Sequence, residues 1–371
     1  MRADLYDVAV VGAGPAGSAA ALAARRAGAR VLLLDRADFP RDKPCGDGIA
    51  AEALDVLHRL GVTGITDGYP PNNGLRLVGP GGTAVVHPLV RPAHTVPRRV
   101  FDARLVAAAV QNGAELRRHT VRAVCNDRDA VRLDDAYRAR VVIGADGAGS
   151  VVRRALGHSP NPDGHLAIAI RGYAPARGAE QLIVTTRTRW PAYAWSFPIG
   201  DGTANVGYGE VLRGAPLSRT HLLDRLDELL PDRVPTGLRA HHLPLSTRRP
   251  PPAQGRVLLA GDALSLINPF TGEGIFYAVL SGALAGAVAA AGPDGVAARY
   301  TGALRQRLGR HLRHSGVAAW LTRRAAVVDA AVRAASADRA VFERMTALGL
   351  GDGTFDARTV VRIGMALGWT R

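Results

Sequence analysis

Three glycines near the N-terminus have the spacing of a turn that binds a dinucleotide. Gly12, Gly14 and Gly17 follow an apolar strand pattern at residues 7–11, and an alanine-rich helical stretch continues to Gly28. Glycines at these positions let backbone N–H groups approach a pyrophosphate, which then lies at the positive N-terminus of the helix. The turn therefore predicts a nucleotide-binding strand–helix–strand unit.

The second strand of this unit covers residues 31–34 and ends at Asp35. A carboxylate at that strand end can accept hydrogen bonds from a ribose hydroxyl. We also expect Ala16, inside the glycine turn, and Arg36, next to the aspartate, to contact the nucleotide. This unit alone is compatible with either FAD or NAD.

Two later segments favour FAD. One apolar strand ends at Asp146, and another ends at Asp262 and is followed by Pro269, Gly272 and Gly274. An aspartate at a strand end, just before a glycine-opened helix, is well placed to bind a ribityl hydroxyl. The N-terminus of that helix can stabilise negative charge on a reduced isoalloxazine.

These elements, in this order, resemble the p-hydroxybenzoate-hydroxylase-like flavoproteins. The resemblance extends from Gly12 to Gly274. It implies one FAD bound by segments far apart in sequence, with Asp35 at the adenosine ribose and Asp262 at the ribityl chain. Arg99, in an Arg-Arg-Val-Phe-Asp run, also matches a family arginine near the cofactor. Its alternative interpretation is a solvated residue at the start of a helix.

A constrained loop with the sequence Lys-Pro-Cys-Gly follows the nucleotide unit. It resembles an element of the geranylgeranyl reductase branch of that superfamily. The resemblance places Cys45 and Gly46 over the isoalloxazine, in a loop implicated in flavin movement and substrate protection. A nearby Lys43 ammonium is expected to lower the pKa of the Cys45 thiol, making Cys45 a catalytic proton donor or a gate. A flavin-held water is the other candidate proton source, and an incidental small buried residue is the structural alternative.

Three aromatic residues alternate along one predicted strand. Period-2 alternation places Tyr193, Trp195 and Phe197 on the same face, where they form a flat apolar wall for a planar or extended substrate. The alternative is ordinary sheet packing. The Tyr-x-Trp-x-Phe-Pro pattern again resembles geranylgeranyl reductases. Flavin-dependent halogenases carry Trp-x-Trp-x-Ile-Pro and need a lysine near the chlorinated carbon, whereas the only lysine here, Lys43, belongs to the cysteine loop.

The composition excludes several classes of protein. The 371 residues are 47% hydrophobic, which rules out a disordered chain. The net charge of +15 comes almost entirely from scattered arginines without interleaved aromatic residues, so we expect no nucleic-acid binding. Two cysteines without a Cys/His cluster predict neither a metal site nor a disulfide scaffold. An acidic carrier protein or the lipid of a membrane surface remains open as a partner.

The ends of the chain carry no recognisable targeting pattern, so a cytoplasmic protein, with peripheral membrane attachment as the alternative, is the expectation. The uncharged run at residues 275–293 is predicted to be a buried helix.

We predict an α/β fold with a Rossmann-like FAD-binding domain, an inserted mixed or antiparallel β-sheet substrate domain and a helical C-terminal tail. The FAD-binding domain is expected to comprise residues 1–72, 97–160 and 250–318. The substrate domain would comprise 73–96 and 161–249, and the tail 319–371.

The expected function is an FAD-dependent oxidoreductase that reduces C=C bonds of a small hydrophobic substrate, isoprenoid by resemblance. No second glycine-rich turn suggests a dedicated nicotinamide domain, so NAD(P)H or a reductase partner would supply electrons from outside. A flavin monooxygenase that hydroxylates or epoxidises a specialised metabolite is the main alternative, because one fold supports both chemistries. A flavin-binding cyclase without redox chemistry is a third possibility.

Overall fold

The computed structural model describes residues 4–188, 191–214 and 217–368. Its strands, in chain order, are β1 (Leu5–Val11), β2 (Val31–Asp35), β3 (Gly48–Ile49), β4 (Pro71–Val78), β5 (Ala84–Thr95), β6 (Glu115–Arg118), β7 (Val124–Asn126), β8 (Val131–Leu133), β9 (Tyr137–Gly144), β10 (Leu166–Pro175), β11 (Gln181–Thr185), β12 (Ala192–Pro198), β13 (Thr203–Val211), β14 (Thr236–Pro244), β15 (Ala253–Gln254) and β16 (Val257–Leu259). Its α-helices are α1 (Pro15–Arg26), α2 (Ala51–Arg59), α3 (Arg98–Gln111), α4 (Val151–Ala155), α5 (Arg219–Leu229), α6 (Ile275–Ala290), α7 (Val296–Leu321), α8 (Ala325–Ala337), α9 (Arg339–Leu350) and α10 (Ala357–Leu367).

The first sheet has a parallel centre in the order β16-β9-β1-β2-β6, with β15 antiparallel at one edge. The small strands β7 and β8 attach to β9. Strands β1, β2 and β9 are rich in Val, Leu and Ile because both faces of the parallel sheet are buried here. The chain proceeds outward from β1 in both directions, so a crevice opens at the carboxyl end of β1, where ligands bind in such sheets.

The second sheet has the order β14-β10-β13-β12-β11-β4-β5-β3. Its pairs are antiparallel except for the parallel pair of β4 and β11, which joins the β4–β5 hairpin to the remaining strands. Helix α5 packs its leucines on this sheet through a separate apolar cluster. The predicted α/β fold with a second, largely antiparallel sheet and a helical C-terminal region is confirmed. The domain boundaries given above remain a prediction.

Helices α1 and α6 approach each other at backbone distance. A methyl group on Gly282 would lie 2.0 Å from the carbonyl oxygen of Ala16, and one on Gly286 would lie 2.1 Å from that of Ala20. This contact holds α1, which follows the glycine turn, against α6, which follows Asp262. Helix α6 is buried over most of its length, as the sequence predicted. In the described ranges, no helix combines the length and apolarity that crossing a bilayer requires.

The C-terminal helices pack on the β4–β5 hairpin. Val332 and Phe342 share an apolar cluster with Leu75 and Val85. The buried carboxylate of Asp329 also accepts a hydrogen bond from a backbone N–H in the turn of that hairpin. The C-terminal segment is therefore part of the folded body of the protein.

The helix contact leads to a stability prediction. Gly286→Ala should lower the free energy of unfolding by about 1–3 kcal/mol, because its methyl group would overlap a backbone carbonyl that cannot move aside. Gly302→Ala is the matched control. Gly302 is an exposed residue of α7, and nothing lies within 4 Å of an added methyl group there. This variant should therefore raise the free energy of unfolding by about 0.4–1 kcal/mol. Urea denaturation of both variants measures the difference. Equal effects would contradict the close packing.

Candidate active site

A cleft of about 880 Å³ lies between the carboxyl edge of the first sheet and β10, β12, β13 and β14 of the second. The sequence-predicted site residues that line it are Gly12, Gly14, Ala16, Asp35, Arg36, Cys45, Gly46, Tyr193, Trp195, Phe197, Asp262, Pro269, Gly272 and Gly274. Gly17 and Arg99 are the two predicted residues outside the lining set. Segments more than two hundred residues apart in sequence thus meet in one cavity.

The three glycines of the first turn differ in what surrounds them. Gly12 has φ +98°, and a methyl group on it would lie 2.4 Å from the carbonyl oxygen of Ala145. Gly17 packs against the turn itself, since a methyl group there would lie 1.7 Å from the carbonyl oxygen of Gly12. At Gly14 an added methyl group meets only a guanidinium nitrogen of Arg41, at 3.6 Å. The backbone at Gly14 is therefore open to the cleft, with room for phosphate oxygens.

Asp35 is held at the end of β2 by two backbone contacts. Its Oδ2 accepts from the N–H of Ala13 at 2.8 Å, and its Oδ1 accepts from the N–H of Ala37 at 2.9 Å. Each oxygen keeps a further lone pair, because a carboxylate offers about four acceptor sites. The carboxylate is thus fixed in position and can still accept hydrogen bonds from ribose hydroxyls.

The arginine at the start of α3 that lines the cleft is Arg98. Its Nε and Nη2 donate to the two carboxylate oxygens of Asp102, at 2.6 and 2.7 Å, and both side chains are buried. Arg99, the arginine expected from the sequence, is exposed and lies outside the lining set. Neighbouring residues on a helix point about 100° apart, so only one member of the Arg-Arg pair can face inward.

The Lys43 side chain is directed to Asp262. Its Nζ lies 3.6 Å from Asp262 Oδ2, which ties the cysteine loop to the end of β16. Asp262 also lies beside the start of α6, since a methyl group on Gly274 would be 3.7 Å from its Oδ1. The Asp262 carboxylate and the N-terminus of α6 are therefore adjacent.

The expected lowering of the Cys45 pKa is wrong. Burial raises the pKa of the Cys45 thiol above its ordinary value, and the positive charge of Arg98 opposes this only in part. Lys43 is instead engaged with Asp262. The cleft therefore holds Cys45 as a neutral thiol.

A buried carboxamide fastens the cysteine loop to the second sheet. Asn205 Nδ2 donates to the carbonyl oxygen of Cys45 at 2.8 Å and to Asp47 Oδ2 at 2.7 Å. Its Oδ1 accepts from Trp195 Nε1 at 2.8 Å, and the Tyr173 hydroxyl donates to Asp47 Oδ2 at 2.7 Å. Burial raises the pKa of Asp47 to about 6, although these donors favour its charged form.

The three alternating aromatic residues all face the cleft. Gly207 makes room for the Trp195 ring, because a methyl group there would lie 2.2 Å from Trp195 Cζ2. A methyl group on Gly46 would lie 3.4 Å from Phe197 Cε2 and 3.5 Å from Trp195 Nε1, so this glycine packs against the two rings. The Tyr193 and Trp195 ring centroids are 5.9 Å apart and tilted by 54°. The cysteine loop thus lies directly against the rings of Tyr193, Trp195 and Phe197, which we call the aromatic wall.

Several cleft residues were not identified as functional in the sequence. Arg171 Nε and His241 Nε2 are buried without a hydrogen-bond partner among the described residues, and both residues line the cleft. Burial, with a smaller contribution from Lys43, lowers the pKa of His241 to about 4, so this ring is neutral. Such unpartnered buried groups are what a polar ligand would satisfy. No local motif marks either residue, since their burial depends on the assembled sheet.

The C-terminal end of α9 fixes the cleft segment 268–274. Asn268 Nδ2 donates to the carbonyl oxygen of Leu348 at 2.9 Å, and Thr271 Oγ1 donates to that of Gly349 at 2.6 Å. The hydroxyl of Tyr193 in turn donates to the carbonyl oxygen of Thr271. The position of this segment therefore depends on the tail as well as on the aromatic wall.

Comparison with known proteins agrees with this geometry. Residues 5–172 match the domain family described as FAD binding domain. The chain is 36% identical over 309 residues to menaquinone reductase of Mycolicibacterium smegmatis, covering 75% of each chain. It is 33% identical over 311 residues to digeranylgeranylglycerophospholipid reductase 2 of Methanopyrus kandleri, covering 77% of each chain. The chain belongs to the geranylgeranyl reductase family of FAD-dependent oxidoreductases.

The solved structures extend the likeness to nearly the whole chain. A geranylgeranyl bacteriochlorophyll reductase-like protein from Thermoplasma acidophilum superposes with a TM-score of 0.80 at 22% identity, covering 97% of this chain and 96% of that one. The sequence relatives and the family model confirm the family resemblance and FAD as the cofactor, and this solved structure shows that the fold is shared. The halogenase interpretation is not favoured.

The residues of the cleft fit FAD. The open backbone at Gly14 and the N-terminus of α1 would hold the pyrophosphate, and Asp35 would hold the adenosine ribose. Asp262 would bind the ribityl chain, and the N-terminus of α6 would face the pyrimidine side of the ring. Arg98 adds a buried positive charge to the cleft wall, next to the cysteine loop.

The two neighbouring arginines allow a matched test. Arg98→Gln should lower the free energy of unfolding by about 3 kcal/mol, because it removes the bidentate partner of the buried Asp102 carboxylate. Arg99→Gln, at an exposed position, should change it by no more than about 0.5 kcal/mol. Urea denaturation monitored by circular dichroism gives both values. A larger loss for Arg99→Gln would show that the wrong arginine has been assigned to the interior.

Proposed function

We propose that this flavoenzyme reduces C=C bonds of a hydrophobic, prenyl-bearing substrate. One observation carries the proposal: the residues expected to bind FAD, a neutral thiol and the aromatic wall line the same cleft. The names of two relatives support it. One is called a menaquinone reductase and the other a digeranylgeranylglycerophospholipid reductase, and both compounds carry prenyl chains.

The side chains of the wall suit an apolar substrate. Bound FAD supplies hydride chemistry, and the protein supplies orientation and a dry site. Tyr193, Trp195 and Phe197 offer flat apolar surface along which an extended alkene can lie. Trp195 is held rigidly by its hydrogen bond to Asn205, so the wall keeps its shape when substrate enters.

We assign Cys45 as a catalytic residue that contacts the reacting part of the substrate. Its loop lies between the wall and the end of β16, held by Asn205 on one side and by the Lys43–Asp262 pair on the other. A neutral thiol is compact and weakly polar, so it can press an alkene against the wall without a strong competing hydrogen bond.

The electron donor and the source of the substrate belong to the same proposal. NAD(P)H or a reductase partner would reduce the flavin from outside. An anionic membrane surface is the source of substrate that we favour over an acidic carrier protein. The end of α7 supports it, because Trp320 is 63% and Val317 is 59% exposed there, next to Arg323 and Arg324.

The decisive experiment is anaerobic. Photoreduced holoenzyme mixed with a polyprenyl alkene should be reoxidised without oxygen, and mass spectrometry should find a product that has gained two hydrogens. The fully saturated analogue of the same chain is the control and should leave the flavin reduced.

Two results would contradict alkene reduction. Reoxidation only after air is admitted, with oxygen from O₂ in the product, would indicate a monooxygenase. Conversion of substrate by enzyme whose flavin stays oxidised would indicate a cyclase.

A further inference from the structure

Glu273 is a partly exposed carboxyl residue of the cleft that has no role in the function proposed so far. It lies in the 268–274 segment, just before α6, and lines the cleft together with Cys45 and Tyr193. Its Oε1 accepts from the backbone N–H of Phe276 at 2.7 Å, which fixes the direction of the side chain.

The segment that carries Glu273 is locked to the aromatic wall. The Tyr193 hydroxyl donates to the carbonyl oxygen of Thr271, two residues before Glu273. A methyl group on Gly272, the residue before Glu273, would lie 2.8 Å from the Tyr193 hydroxyl oxygen. The segment beside Glu273 therefore lies against the aromatic wall, and Glu273, Tyr193 and Cys45 all line the same cleft.

The surroundings of Glu273 favour its protonated form. The titratable and charged groups that act on it or respond to it are Glu52 on α2, Arg98 on α3, Tyr193 on β12 and Tyr277 on α6. Burial raises the pKa of Glu273 to about 7, and the negative charge of Glu52 adds to this effect. The N–H groups of Phe276 and Ile275 and the charge of Arg98 oppose it incompletely.

Alkene reduction needs a hydride at one carbon and a proton at the other. The proton donor works best when its pKa is close to the working pH. The Cys45 thiol fits this requirement poorly, because burial raises its pKa further from neutrality. A carboxyl group that is half protonated near neutral pH fits it well.

We propose that Glu273 is the acid that delivers the proton to the substrate alkene, an inference that rests on the proposed function. Bound reduced flavin would supply the hydride, with its two electrons, for the first new C–H bond. The Glu273 O–H bond breaks and its proton forms the second C–H bond as the alkene π bond is lost. The carboxylate then regains a proton from water before the next turnover.

The first test is the pH dependence of anaerobic flavin reoxidation by the alkene. In the wild type the rate should fall as pH rises through about 7, as the active protonated carboxyl is lost. Glu273→Gln keeps an acceptor for the Phe276 N–H but cannot donate the proton. We expect its rate to drop by about 10²–10⁴-fold and its pH dependence to flatten. Glu273→Asp should recover part of the reoxidation rate, and that rate should again fall as the pH rises.

Glu52→Gln is the matched control, since it changes a neighbouring carboxylate without removing the acid. It should shift the profile to lower pH, because loss of a negative charge lowers the pKa of Glu273. An independent readout is the ¹³C resonance of labelled glutamate carboxyls in oxidised holoenzyme. One resonance should titrate near pH 7 and be absent from Glu273→Gln.

The outcomes separate this inference from the proposed function. If the wild type does not reduce any prenyl alkene, the proposed function fails and takes the inference with it. If the wild type reduces the alkene and Glu273→Gln keeps the rate and the sloping profile, only the inference is overturned. A profile that flattens in Cys45→Ala and stays sloped in Glu273→Gln would assign the proton to the thiol.

Discussion

The buried carboxamide of Asn205 is the contact on which the reactive part of the cleft depends. It comes from the second sheet and bonds to the Cys45 carbonyl and the Asp47 carboxylate, both on the loop that follows the nucleotide unit. A buried amide or carboxylate without partners costs about 1–3 kcal/mol, so the loop and the sheet stabilise each other. Trp195 completes the arrangement by donating to the same carboxamide. One side chain thus sets the distance between the thiol and the aromatic wall.

Burial, more than local charge, determines the ionisation of the substrate end of the cleft. It raises the pKa values of Cys45, Asp47 and Glu273 and lowers that of His241. All four shifts favour the neutral form. The ion pairs of the cleft include Arg98–Asp102 and Lys43–Asp262 and, at β10 and β14, Arg171–Asp42 and Arg239–Asp42. The groups whose neutral form is favoured include Cys45 and Glu273 beside the aromatic wall, where low local charge suits an apolar substrate and a hydride transfer.

Local patterns were sufficient for the elements that carry the cofactor. The glycine turn, the strand ending at Asp35 and the alternation of Tyr193, Trp195 and Phe197 follow from spacing alone, and the structure places them in the cleft. These features depend on short-range backbone geometry, namely the 3.6-residue and two-residue periods and the freedom of glycine.

Long-range contacts could not be predicted in the same way. The choice between Arg98 and Arg99 depends on the rotation of α3 about its axis, which the partner Asp102 reveals only in the structure. The Lys43 ammonium lies near Asp262, a residue far away in the sequence. It is therefore not placed to lower the pKa of the neighbouring Cys45 thiol. Glu273 was visible in a glycine-rich motif, but its position in the cleft beside Cys45 and Tyr193 depends on packing between distant segments.

The reactivity of the two cysteines tests the central contact most directly. Cys125 is exposed and serves as the internal reference for the partly buried Cys45. We predict that iodoacetamide alkylates Cys45 much more slowly than Cys125 in the wild type. Asn205→Ala removes both hydrogen bonds from the carboxamide to the loop, so the Cys45 rate should rise at least about tenfold, with no change at Cys125. Equal Cys45 rates in the two proteins, as fast as that of Cys125, would show that Asn205 does not hold this loop.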